Sequence, residues 1–172
     1  AGAFDAFLQM NLEDARTGND VTATALRSRE ELEEQRALLT PGWIGSWPAA
    51  PIPERSPAFL LGFPRSGTTL LDTLLMGHPD IAVAEEEPML STVGEKLGEL
   101  VRLAGLNAQE VEGLRNAYFE VAERRVPGNR SKLLVDKNPF AMGSASIIHR
   151  LFQGAPIIFM ERLVEGGRHI EV

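Results

Sequence analysis

Apolar residues recur at helical spacing near the start of the chain, where Phe4, Phe7, Leu8 and Leu12 share one face. Residues 1–39 are therefore expected to be helical, with the Glu-rich stretch 28–36 as a solvated face. Residues 40–53 are dense in proline and glycine and contain Trp43 and Trp47, so they read as a connector without regular structure. The apolar run at 58–63 stops at Pro64, and its length and unbroken apolarity suit a strand buried on both faces. Helical spacing returns over 70–76. Strand, glycine-containing turn and helix thus follow in immediate succession.

The same alternation continues. Residues 81–84 form a second short apolar run, and Pro88 sits where the first turn of a helix reaching about residue 104 accepts a proline. Asn107 with Glu110 three residues on has the form of a capping box, opening a helix to about residue 124 that Pro127-Gly128-Asn129 ends. A strand at 132–135, a helix at 144–152 and a strand at 156–160 complete the pattern. Strands alternating with helices predict an α/β fold with a parallel sheet and right-handed crossovers. The expected organisation is an N-terminal helical segment and connector over 1–53, then a P-loop-like three-layer domain over 54–172.

Composition narrows the chemistry. The 172 residues are 44% hydrophobic and 24% charged, an ordinary globular balance. A formal charge of −7 argues against general binding to nucleic acid or acidic membranes, so an anionic ligand must be held locally. With no cysteine, disulfides, thiolate zinc sites and thiol nucleophiles are excluded, and cytoplasm is the expected location. No apolar run approaches the roughly 18 residues that span a bilayer, and the acidic start shows no targeting pattern.

The local anion site is expected at Gly62-Phe63-Pro64-Arg65-Ser66-Gly67-Thr68-Thr69, which has the G-x-x-x-x-G spacing of a nucleotide P-loop followed by two hydroxyl residues. Gly67 permits a tight turn whose N–H groups, with those of the next helix, converge on one point. The positive end of the helix dipole reinforces it. The P-loop lysine is replaced by Thr68, and Arg65 is the only cation in the loop. Thr68 cannot reach the β/γ-phosphates of a triphosphate, which weakens an ATPase reading.

The run Pro64-Arg65-Ser66-Gly67-Thr68-Thr69 after an apolar strand resembles the 5′-phosphosulfate-binding loop of sulfotransferases, particularly the branch of protein-tyrosine sulfotransferases and bacterial tetratricopeptide-repeat-linked sulfotransferases. The resemblance implies 3′-phosphoadenosine 5′-phosphosulfate (PAPS) as donor and adenosine 3′,5′-bisphosphate (PAP) as product. It places Arg65 at the sulfuryl group and bridging oxygen, and Pro64, Ser66, Gly67, Thr68 and Thr69 around the 5′-phosphate. His78-Pro79-Asp80 and Glu85-Glu86-Glu87 follow at the family's distances. Glu86 matches the catalytic base of the tyrosine-sulfating branch by position, with Glu85 as the alternative and His78 as a turn residue. A carboxylate in that place takes the proton of an attacking hydroxyl.

Val135-Asp136-Lys137-Asn138-Pro139 resembles the second family motif, whose lysine assists at the sulfuryl group, so Lys137 is expected to act beside Arg65. Asp136 has no assigned role. Arg162, after the run 157–160, matches the arginine that binds the 3′-phosphate. Ile170 stands where family members carry a serine, and the resemblance, which covers about 57–162, implies a domain cut short after its first half. No metal is implied. The acceptor is expected to bear a hydroxyl: a tyrosyl peptide, a sugar, or a small alcohol or phenol. Two other readings remain open. Four apolar residues followed by Glu161 also have the shape of a Walker-B strand in a Mg-ATP-dependent kinase or NTPase, and the Trp43/Trp47 segment could serve a non-catalytic interaction domain.

Overall fold

The computed structural model describes residues 33–63 and 65–161. The chain divides into two compact units, 1–41 and 42–172. In the first, residues 33–38 are helical and Leu39 N–H donates to Gln35 O at 2.9 Å. The rest of the expected N-terminal helical stretch lies outside the described residues. The connector holds one short helix, α1 (Pro41–Gly45), where sequence suggested none. Pro41 opens it at a position where the missing N–H is not needed.

The second unit carries four short strands: β1 (Ala58–Gly62), β2 (Ile81–Glu85), β3 (Leu133–Lys137) and β4 (Ile157–Met160). All pairings are parallel, in the order β2-β3-β1-β4. Helices α2 (Thr68–Met76), α3 (Met89–Leu97), α4 (Ala108–Arg125) and α5 (Ala145–Leu151) alternate with the strands. This is the α/β fold that the sequence pattern predicts. No described helix is long and apolar enough to cross a membrane.

Side-chain alternation along each strand gives the sheet two different faces. Phe59 and Leu61 of β1, Ala84 of β2 and Leu134 of β3 pack with α3, α4 and α5 into the larger core. Ala58, Leu60 and Val135 point the other way, against Leu71 and Leu75 of α2. β1 is buried at every position, as expected for a central parallel strand. The predicted helix over 88–104 is broken in two. Gly98, at φ 76°, ends α3, and residues Leu100–Gly105 form a 3-10 segment that places Leu103 in the core.

Asn107 caps α4 as its spacing suggested. Its Oδ1 accepts from Gln109 N–H (2.9 Å) and Glu110 N–H (3.0 Å), while Glu110 Oε2 accepts from Asn107 N–H (2.9 Å). Asn107→Ala is expected to lower unfolding free energy by about 1 kcal/mol in urea denaturation. An unchanged midpoint would mean that packing alone sets the start of α4.

Candidate active site

The carboxyl ends of the strands gather the chemistry. β1 lies between β3 and β4, reached by different crossovers, and ligands of open parallel sheets bind outside such a switch point. β1 ends at Gly62, where an added Cβ would meet Met160 O at 2.5 Å and Ser66 Oγ at 3.0 Å. Glycine is required there because β4 and the following loop close in on the backbone. The loop then turns through two left-handed residues, Arg65 (φ 69°) and Gly67 (φ 99°), and α2 starts at Thr68. Arg65 is not a glycine, so its backbone strain costs about 1 kcal/mol or more.

Gly67 O accepts from Leu70 N–H (3.0 Å) and Leu71 N–H (3.1 Å), so the N–H groups of Thr68 and Thr69 precede the helical ladder and have no intrahelical acceptor. No side chain caps this end. Ser66 Oγ is buried beside it without a hydrogen-bond partner among the described residues, and Thr68 is buried too. An orphaned hydroxyl at an uncapped helix N-terminus fits a tetrahedral anion, which would accept from both. Arg65 and Thr69 are exposed at the loop surface.

One turn into α2, the buried Asp72 points at the end of β3. Its Oδ2 lies 3.4 Å from Lys137 Nζ. The same ammonium donates to Glu85 Oε1 and Glu86 Oε1, each at 3.0 Å. Consecutive strand residues ordinarily point to opposite faces. Glu85 and Glu86 reach one nitrogen because the chain leaves β2 at Glu86 with φ 54°, a left-handed turn held by Glu86 N–H donating to Lys137 O at 2.7 Å. Lys137 is 1% exposed. Burial alone would depress its basicity, but the hydrogen bonds to Glu86 and Glu85 and the ion pair with Asp72 outweigh that and leave its pKa raised.

Asp136, the residue before, faces the other side of the sheet. Its Oδ2 accepts from Tyr118 O–H at 2.7 Å, and Oδ1 is buried without a partner. Desolvation raises its pKa from 3.8 to about 7, against the lowering effect of the Tyr118 hydrogen bond. Burial, with Asp136 adjacent, also pushes the Tyr118 hydroxyl well above its usual range.

Of the residues expected in the site, Arg65, Ser66, Gly67, Thr68 and Thr69 form the loop and helix start at the end of β1, and Glu86 and Lys137 form the neighbouring ion cluster. Pro64, Arg162 and Ile170 lie outside the described residues. Glu87 pairs instead with Arg125 on α4 at 3.4 Å, and Glu161 is exposed just past β4. His78 Nδ1 accepts from Asp80 N–H at 3.2 Å, a turn contact. Sequence reasoning missed Asp72. Its signal was the only charge in the otherwise apolar and hydroxyl-bearing helix TTLLDTLLM. It also gave no role to Asp136, whose partner is remote in sequence.

A family model described as "Sulfotransferase family" matches residues 57–164. The chain belongs to the sulfotransferase family. It is similar to human protein-tyrosine sulfotransferase 1, 32% identical over 114 residues, which cover 60% of this chain and 30% of that protein. Nodulation protein NoeE of Sinorhizobium fredii is 32% identical over 118 residues, covering 60% of this chain and 28% of the other. The chain thus spans about a third of the length of these relatives or less. The sulfotransferase domain of a Synechococcus olefin synthase is 26% identical with a TM-score of 0.36, covering 67% of this chain and 52% of that one.

Two outcomes are expected from this geometry. Asp136 binds its proton more tightly folded than unfolded, so its contribution is full below about pH 4 and is lost as pH rises through about 7. Asp136→Asn, which keeps an acceptor for Tyr118, should therefore gain stability relative to the parent by up to about 4 kcal/mol between those limits. Parallel pH profiles of the two proteins in urea unfolding would contradict the assignment. Gly62→Ala should destabilise the β1–β4 pair by about 1–3 kcal/mol, read by the same method.

Proposed function

We propose that the chain carries the donor-binding part of a PAPS-dependent sulfotransferase that sulfates a hydroxyl acceptor. The observation that carries the reading is the junction of loop and cluster. α2 supplies the uncapped N-terminus with the buried, unpartnered Ser66 hydroxyl and, one turn later, the Asp72 carboxylate that touches Lys137. An anion pocket and the carboxylate that holds Lys137 are thereby fixed to one rigid element.

When bound, PAPS supplies an activated sulfuryl group on a phosphate leaving group. Ser66, Gly67, Thr68 and Thr69 would hold the 5′-phosphate through backbone N–H groups and hydroxyls, and the family resemblance adds Pro64 and, at the 3′-phosphate, Arg162. Arg65, in the loop, would offer a guanidinium to the negative charge that grows on a departing phosphate oxygen, which would lower the transition state more than the ground state. Lys137 adds a second cation at the end of β3. Because Glu85 and Glu86 share that ammonium, it has carboxylates to release as an anion arrives. Glu86, half exposed beside Lys137, would take the proton of the acceptor hydroxyl. The tyrosine-sulfating relatives make a tyrosyl hydroxyl one candidate acceptor, with sugars and small alcohols or phenols as the others.

Arg65→Ala is expected to reduce sulfuryl transfer at least about 100-fold, as loss of a preorganised charge-stabilising donor does. Unchanged turnover would remove Arg65 from the mechanism. Glu86→Gln should lower kcat by about 100-fold or more while leaving the KM for PAPS within about twofold. If Glu85→Gln produced that split and Glu86→Gln did not, the base would be Glu85.

A further inference from the structure

Three carboxylates surround the Lys137 ammonium, and they are not equivalent. The side chains of Glu85 and Glu86 are 49% and 54% exposed, whereas those of Lys137 and Asp72 are each 2% exposed. A glutamate that lets go of the ammonium turns into water and recovers its hydration. Asp72 has no such exit. Separating it from Lys137 would leave a desolvated carboxylate beneath α2, which is strongly destabilising.

The hydrogen bonding points the same way. An ammonium carries three N–H donors, and two are taken by Glu85 Oε1 and Glu86 Oε1, each at 3.0 Å. Asp72 Oδ2 stands 3.4 Å from the same nitrogen, buried and without a hydrogen bond among the described residues, so it is an acceptor held in reserve. The Thr73 hydroxyl lies 3.3 Å from Asp72 Oδ1, but its single proton has a nearer acceptor in Thr69 O at 2.7 Å. Thr68 and Asp72, four residues apart, share the buried face of α2. The helix whose uncapped start forms the anion site thus also carries the reserve acceptor.

We propose that Asp72 is a positioning residue: it is the permanent anchor of the Lys137 ammonium, while Glu85 and Glu86 are exchangeable partners that give way to an incoming anionic oxygen. With the glutamates displaced, Asp72 closes on the ammonium and keeps the cation at the end of β3. That the incoming oxygen belongs to a sulfuryl donor rests on the function proposed above; the anchoring itself requires no donor.

The chain has three lysines, and Lys96 and Lys132 are exposed, so trace acetylation with acetic anhydride, read residue by residue by mass spectrometry, carries its own references. Asp72→Asn keeps the shape of the side chain and removes its charge. Measured against the two exposed lysines, Lys137 should label about tenfold faster or more in Asp72→Asn, and less than about threefold faster in the double variant Glu85→Gln/Glu86→Gln. A Lys137 rate in Asp72→Asn within about twofold of the parent would overturn the proposal. Should Asp72→Asn fail to fold, the double variant still decides, because release of Lys137 there would overturn it equally. In transfer from PAPS to p-cresol, Asp72→Asn should lower kcat by about tenfold or more with a KM for PAPS no more than about twofold higher. An unchanged kcat, or a rise in KM as large as the loss in kcat, would contradict a positioning role. A parent that transfers nothing to p-cresol would count against the function proposed above, and the labelling rates would then decide on Asp72 alone.

Discussion

The ammonium of Lys137 is the constraint on which the site depends. A compact ammonium buried without opposite charges around it is strongly destabilising, and carboxylates are its strongest partners. Here Asp72, Glu85 and Glu86 supply them, and each comes from a different place: a helix, a strand and the turn after it. Meeting that requirement fixes the roll of α2 over the sheet and so the aim of its N-terminus. It also explains why Glu86, a non-glycine residue, sits in the left-handed region: only that turn brings two consecutive glutamates to one nitrogen. The strain at Glu86 and at Arg65 is thus confined to the two loops where the chemistry is proposed.

Sheet alternation separates this cluster from a second ionisable group only one residue away. Lys137 faces α2, while Asp136 faces the larger core and Tyr118. The two faces have opposite polarity logic. Toward α2 a charge is kept by partners, and toward α4 desolvation keeps a carboxyl protonated up to about pH 7. Packing against Phe59 and Phe152 encloses Tyr118, so its hydroxyl has Asp136 as its hydrogen-bond partner.

Much of the fold was legible because the strands are short, apolar and bounded by glycine or proline, and because the capping box at Asn107 is a purely local signal. The loop was legible for the same reason: glycine spacing, hydroxyls and Arg65 are adjacent in sequence. What escaped was set by tertiary contacts. The helix expected to reach about residue 104 ends at Gly98, and Leu103 enters the core from the 3-10 segment that follows. Asp72 had no local feature to mark it beyond its charge, and its partner stands 65 positions away at Lys137. Glu86 was set ahead of Glu85 only by its family position, and both in fact touch Lys137.

The account rests on α2 presenting a site for a nucleotide phosphate without a P-loop lysine. Calorimetric titration with adenosine 3′,5′-bisphosphate, beside ATP with and without Mg²⁺, tests this most directly. Saturable, metal-independent binding of the bisphosphate that is lost in Ser66→Val is the predicted result. Binding of ATP only in the presence of Mg²⁺, with none of the bisphosphate, would contradict it.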